Sequence, residues 1–230
     1  MRYDCLIIDD EQLLADNTRD YFNLFEVKSY SVYNKADAVS FLQDNEVSLI
    51  LLDINLGDGS GFELCKYIRQ TMDIPILFIS ARDTDDDKIV ALNIGGDDYI
   101  EKPYSMGVLL AKVKVFLKRF SHVKEDNNDI YEDSHLKIDK MNKMLVVDGL
   151  EKKLTSLEFS LLSYLVDNPS RLITKAELFD NVWKDKFTSD GTLNVHIRKL
   201  REAIEKDPQD PSYIVTVWKE GYKFIPENPV

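Results

Sequence analysis

The chain has 230 residues, 44% of them hydrophobic and 30% charged, and a formal net charge of −12. That length suits one large domain or two ordinary ones, each able to bury a core. No apolar run approaches the roughly 20 residues that span a bilayer, and the acids in MRYDCLIIDD interrupt what a signal peptide needs, so a cytoplasmic protein without membrane contact is expected. Residues 1–119 hold 13 basic and 21 acidic side chains and residues 120–230 hold 16 and 20. With both halves acidic, any role on nucleic acid has to rest on a local basic face. Cys5 and Cys65, one in an apolar run and one on a helical face, read as reduced core thiols.

In chain order, short apolar runs at 5–8, 27–32, 49–52, 76–79 and 99–100 alternate with helical patterns. Runs without polar alternation suit strands buried on both faces, as in a parallel sheet. Leu13, Leu14, Tyr21, Phe22 and Phe25 fit one helical face, and Phe62, Cys65, Ile68 and Arg69 another, after a turn containing Gly57, Gly59 and Gly61. A last helix covers 105–120. Five β–α units with right-handed crossovers predict a doubly wound, flavodoxin-like α/β domain with a five-stranded parallel sheet over residues 1–120.

Residues 121–134 (SHVKEDNNDIYEDS) are polar and read as a linker. From 135 to 227 the pattern changes to short antiparallel strands with a turn at Asp148-Gly149, then three helices. The first opens at Thr155-Ser156 with Glu158 behind it, a capping signature; the second runs from Thr174 to about Trp183; the third from about Gly191 to Ile204. Two strands around 219–221 close an α+β domain.

Ligand chemistry in an open α/β sheet collects beyond the carboxyl ends of the strands. There the sequence sets Asp9, Asp10 and Glu11 after the first strand, Asp53 after the third, Ser80 after the fourth and Lys102-Pro103 after the fifth. Three carboxylates in one pocket repel unless a cation compensates. Oxygen ligands without nearby His or Cys point to Mg²⁺, or Mn²⁺, at Asp9, Asp10 and Asp53. A carboxylate beside such an ion can take a phosphoryl group and become an acyl phosphate. Lys102 would neutralise one phosphoryl oxygen and the Ser80 hydroxyl would donate to another. A multiple-turnover phosphatase would want a second acid two residues after the nucleophile; that position is Asn55, so only self-phosphorylation and slow self-dephosphorylation are expected.

DD at 9–10, LLDINLGDGSG at 51–61, ISA at 79–81 and GGDDYIEKPY at 95–104 resemble the receiver domain of two-component response regulators. LTSLEFSLLSYL at 154–165, LNVHIRKLR at 193–201 and TVWKEGYKF at 216–224 resemble the winged helix-turn-helix of the OmpR/PhoB subfamily. The resemblance implies phosphorylation of Asp53 by a sensor histidine kinase, a backbone carbonyl of Asn55 as a metal ligand, Ser80 and Tyr99 as a switch pair, and a cis bond before Pro103. It implies a homodimer on phosphorylation, through a face carrying Lys88, Asp97, Asp98, Lys112 and Arg119. Asn93 and Val108 stand where the family usually has acids, so Lys88 is expected to miss its usual partner.

The resemblance further implies promoter DNA as a partner, with the third helix in the major groove. Thr192, His196, Arg198, Lys199 and Arg201 lie on or near that helix, and Leu193, Ile197, Leu200 and Ile204 form its core face. Lys219, Tyr222 and Lys223 belong to a wing. Gly191 stands where Arg is common and Asn194 where Asp is common, so a different base preference is expected. The segment from Trp183 to Ser189 matches the loop that the family turns toward RNA polymerase.

Overall fold

The computed structural model describes residues 1–81, 84–121, 130–184 and 188–227. Two compact units divide the chain, Met1–Val123 and Lys124–Val230. The first contains β1 (Cys5–Ile8), α1 (Gln12–Leu24), β2 (Ser29–Val32), α2 (Lys35–Asp44), β3 (Ile50–Asp53), α3 (Gly61–Thr71), β4 (Ile76–Ser80), α4 (Asp85–Asn93), β5 (Asp98–Glu101) and α5 (Met106–Ser121). The strands form one parallel sheet in the order β2-β1-β3-β4-β5.

Every residue of β1, β3 and β4 is buried, because side chains that alternate across a strand meet helices on both faces. Leu6, Ile8, Leu52 and Phe78 face α2, α3 and α4 through Leu42, Leu64, Cys65, Ile68 and Ala91. Cys5, Ile7, Leu51 and Ile79 face α1 and α5 through Ala15, Phe22, Leu109, Val113 and Phe116. The face expected for α1 is corrected: Ala15, Thr18 and Phe22 are buried, at i, i+3 and i+7, while Leu13 is 78% exposed and Phe25 44% exposed. A helix shows one stripe to the sheet, and the small Ala15 and Thr18 let it come close.

The second unit opens with β6 (Ile130–Glu132), β7 (Leu136–Asp139), β8 (Met144–Val147) and β9 (Leu150–Lys152), an antiparallel sheet in chain order. β6 lies inside the stretch expected as linker. Three residues carry too little periodicity to announce a strand; antiparallel pairing with β7 forms it, and Tyr131 meets Phe224 edge-on. Residues 122–129 of that stretch lie outside the described residues. Asp148 and Gly149 both have positive φ, +48° and +78°, as a two-residue hairpin turn of twisted strands requires.

Three helices follow: α6 (Ser156–Val166), α7 (Lys175–Leu178), which widens into a π-helical turn at Phe179–Trp183, and α8 (Asp190–Ile204). α6 carries a full capping box: Glu158 N–H donates to Thr155 Oγ1, and Thr155 N–H to the Glu158 carboxylate. The short β10 (Ile173–Thr174) pairs with the terminal hairpin of β11 (Ile214–Val217) and β12 (Gly221–Phe224). A Cβ on Gly221 would lie 2.0 Å from the Ile173 carbonyl oxygen, so this close pairing needs glycine. Leu157, Leu161, Trp183, Leu193, Ile197, Leu200 and Phe224 share the core of this unit. Among the described residues no helix is long and apolar enough to cross a membrane.

Candidate functional site

Strand register brings the acidic rim together. Ile8 pairs with Leu52 and Asp53 with Ile79, so Asp9 and Asp53 leave adjacent strands at one level. Ser80 pairs with Glu101, which places Lys102 just beyond the same edge. In a parallel sheet all these ends point one way, and residues up to 93 positions apart meet. Carboxylate oxygens of Asp9, Asp10 and Asp53 lie within 4.8 Å of one another; Asp9 and Asp53 are buried and Asp10 is exposed. Lys102 Nζ donates to Asp53 Oδ2 at 2.7 Å, Asp9 Oδ2 at 2.8 Å and Glu11 Oε1 at 3.1 Å. The remaining oxygens are held by the chain: Asp9 Oδ1 accepts from Glu11 N–H at 2.9 Å and Asp53 Oδ1 from Asn55 N–H at 3.1 Å. Lys102-Pro103 is cis.

Burial, with the Asp53 charge adding to it, pushes the Asp9 carboxyl above its ordinary value despite Lys102 and the Glu11 N–H. Burial also works against the Lys102 ammonium, yet its bonds to Asp53 and Asp9 outweigh it and hold its pKa up. Four acids around one lysine leave net negative charge beside an exposed carboxylate, and every donor is oxygen. That set fits a hard divalent cation such as Mg²⁺. Gly61 closes the floor: a Cβ there would lie 2.0 Å from the Asp53 carbonyl oxygen, so only glycine lets α3 start this close to Asp53. Glu11 was legible only as the third acid of DDE; its bond to Lys102 is a tertiary contact.

Ser80 is fully buried at the end of β4 and bonds Tyr99, whose hydroxyl pKa is raised chiefly by burial. Three of the residues expected on the dimer face are instead inside. Asp97 is 1% exposed, accepts from Arg69 Nη2 at 2.8 Å and from Ile76 N–H at 2.9 Å, and so locks α3 to β4. Asp98 and Lys112 are buried as an ion pair between β5 and α5. Low dielectric favours such mutual pairing over a surface role. Lys88 pairs with Glu101 of β5, not with Asn93 or Val108. The side chain of Arg119 lies outside the described residues. Among the described residues, Ile89, Val90 and Val108 are the large exposed apolar side chains of α4 and α5.

The second unit redistributes the expected DNA contacts. His196 is fully buried, near Trp183 and 3.8 Å from Glu158, and is not available to DNA as placed. Thr192 is buried at the start of α8, where Ser189 Oγ accepts its N–H. Lys199 donates to Glu158 Oε1 at 2.7 Å, tying α8 to the capping box of α6. Burial opposes the Glu158 charge, but His196 and Lys199 together hold that carboxyl well below the usual range. Arg201 donates to the Ile214 carbonyl oxygen and to Thr216 Oγ1, fastening the wing. Tyr222 is 5% exposed. Arg198 is exposed and pairs with Glu202 at 2.8 Å; Lys219 is exposed at the wing turn and Lys223 half-buried. Trp218, 80% exposed beside Lys219, was not singled out by the sequence. Of the loop matched to RNA polymerase, Trp183 is buried, Lys184 exposed, and 185–187 lie outside the described residues.

A doubly wound unit with an acid–lysine rim, followed by a winged helix-turn-helix unit, defines a receiver coupled to a transcriptional output domain. Residues 5–114 match the model of the response regulator receiver domain, and residues 149–224 that of the C-terminal domain of transcriptional regulatory proteins. The chain is 37% identical to the transcriptional regulatory protein YvrH of Bacillus subtilis, over 97% of this chain and 95% of that one. It is also 37% identical to the regulatory protein VanR of Enterococcus faecium, over 95% and 96%. Among solved structures it resembles the response regulator DrrB of Thermotoga maritima, an OmpR/PhoB homologue, at 27% identity and TM-score 0.52, covering 98% of this chain and all of that one. The chain belongs to the two-component response regulators of the OmpR/PhoB type, and its function is phosphorylation-dependent regulation of transcription.

Proposed function

We propose that Asp53 is the phosphoacceptor and that a sensor histidine kinase is the donor. An Asp53 carboxylate oxygen forms the P–O bond as the P–N bond of a phosphohistidine breaks; the electron pair returns to the imidazole, which takes up a proton. Asp9, Asp10, Asp53 and the Asn55 carbonyl would hold Mg²⁺ or Mn²⁺, which neutralises phosphoryl charge when bound. Lys102 stays with a phosphoryl oxygen, and Ser80 donates to another while Tyr99 follows it. The observation that carries this reading is the shared position of Asp9, Asp53 and Lys102, within 2.8 Å contacts. A hollow lined by Glu11, Leu14, Lys102, Pro103, Tyr104 and Met106 opens beside the rim and suits the approach of a donor protein.

Phosphorylation adds charge of about −1.5 to −2 at the rim and biases the α4–β5–α5 face toward a homodimer. Exposed Ile89, Val90 and Val108 support an apolar contact there, in place of pairs from Asp97, Asp98 and Lys112. The dimer binds promoter DNA and presents the 183–189 segment to RNA polymerase, in the cytoplasm. We take the receiver as 1–120 and the output domain as 135–227, the latter extended at its start by β6 (Ile130–Glu132). Acetyl phosphate with Mg²⁺, read by intact mass, tests the acceptor: the wild type gains one phosphoryl group and Asp53→Asn none. Equal gain in both, or none in the wild type, would overturn it. Sedimentation of the phosphorylated chain checks the dimer, and an unchanged mass rejects it.

A further inference from the structure

The outward stripe of α8 is short. Leu193, Ile197, Leu200 and Ile204 are buried, and Asp190, Gly191, Asn194, Arg198 and Glu202 are exposed. Asp190 is held by Lys175 and Arg198 by Glu202. Gly191 offers no side chain, so the backbone at the start of the helix can approach a ligand closely. Asn194, one turn further on, differs from its neighbours in being fixed from the core: its Oδ1 accepts a hydrogen bond from the Tyr222 hydroxyl at 2.9 Å.

Tyr222 is 5% exposed and sits in β12, which is paired on both sides by β10 and β11. Its hydroxyl donates to Oδ1 rather than accepting from Nδ2, and this bond to a residue fixed in the sheet holds the Asn194 amide in one orientation. The Oδ1 atom retains a second lone pair, and Nδ2 carries two hydrogens. An acceptor and a donor side by side, on an amide of fixed orientation, match the N6–H donor and N7 acceptor of adenine in the major groove. A carboxylate in the same place would show two acceptors and suit the N4–H donor of cytosine instead. Arg198 has no such support from the core, and its charge serves phosphates as well as bases.

We propose that Asn194, oriented by Tyr222, reads adenine in the major groove and sets the base preference of this protein. Tyr222 is then a positioning residue, acting on the operator only through the amide it holds. The ordering cost of an exposed side chain is met before DNA arrives, which is why this residue outranks the freer Arg198 in selectivity. The inference rests on the DNA-binding reading of α8.

Selection of binding sites from random duplex DNA by the full chain, phosphorylated with acetyl phosphate, tests it. The wild type should enrich adenine at one position of each half-site, by about fivefold or more over the other bases. Asn194→Asp should move that position to cytosine and leave the others alone. Tyr222→Phe keeps the ring and should flatten the preference at that position while other positions persist. A shared consensus in wild type and Asn194→Asp, with both still enriching DNA, would overturn the inference and leave DNA binding intact. An unchanged preference in Tyr222→Phe would remove the positioning role. No enrichment by the wild type would overturn the DNA-binding reading and the inference together.

Discussion

The rim of the receiver and helix α8 of the output domain use charge in opposite ways. At the rim, Asp9, Asp53 and Lys102 lie at the ends of three strands, and the sheet brings them together beside exposed Asp10. On α8, charges adjacent in sequence are driven apart: His196 and Lys199 turn inward to Glu158, Arg201 turns to the wing, and Arg198 alone of these faces outward. A strand edge has one direction, so chemistry at strand ends collects. A helix has a full circle of directions, so a cation on it can serve the fold as readily as a ligand.

The largest effect expected from breaking this contrast is at Lys102. Lys102→Met removes the one cation that, among the described residues, bonds Asp9, Asp53 and Glu11, and phosphorylation by acetyl phosphate should slow about 100-fold or more, by analogy with the loss of one oxyanion donor. A rate within threefold of the wild type would mean that the lysine is merely structural. In the second unit, Glu158→Gln leaves Lys199 and His196 without their buried charge and should cost on the order of 3 kcal/mol in unfolding experiments. Because the folded-state pKa of Glu158 is depressed, its stabilisation is present above the unfolded value of about 4.3 and is lost as pH falls below it. Acid unfolding of the second unit should therefore become shallower in the variant; an identical pH profile would refute the pair.

Smaller again is Gly61→Ala, whose Cβ meets the Asp53 carbonyl oxygen. Overpacking of that kind costs about 1–3 kcal/mol and should be seen in the thermal unfolding of the receiver and in a slower phosphoryl uptake. The smallest effect on stability, and the sharpest for the comparison, is Arg198→Ala. Folding should be unaffected, while the salt slope of DNA binding falls by about one. His196→Gln should do the reverse, lowering stability with an unchanged salt slope. If His196→Gln weakened DNA binding at full stability, the inward placement of that histidine would be wrong.

Much of this was readable in the chain. Four uninterrupted apolar runs announced a sheet covered on both sides, the residues after them named the rim, and Thr155 with Glu158 marked the start of α6. What failed did so for two reasons. Leu13 looked like core and Asp97, Asp98 and Lys112 like surface, because residue type states a preference for burial without stating which side of an element is covered. β6 and β10 went unseen for a second reason: two or three residues hold no period, and only their pairing with β7 and β12, backed by Tyr131 against Phe224 and by the small Gly221 against Ile173, makes them strands.

Composition and periodicity by themselves determined the succession of the longer elements, the parallel sheet and the set of acids at its carboxyl edge, since local patterning and right-handed crossovers leave little choice. Tertiary structure alone decided which polar side chains are spent on the fold: the Asp98–Lys112 pair, the Glu158 cluster and the Tyr222–Asn194 bond. Such partners lie 14 to 41 residues apart, and a buried charge or hydroxyl takes whichever complement the packing brings within reach.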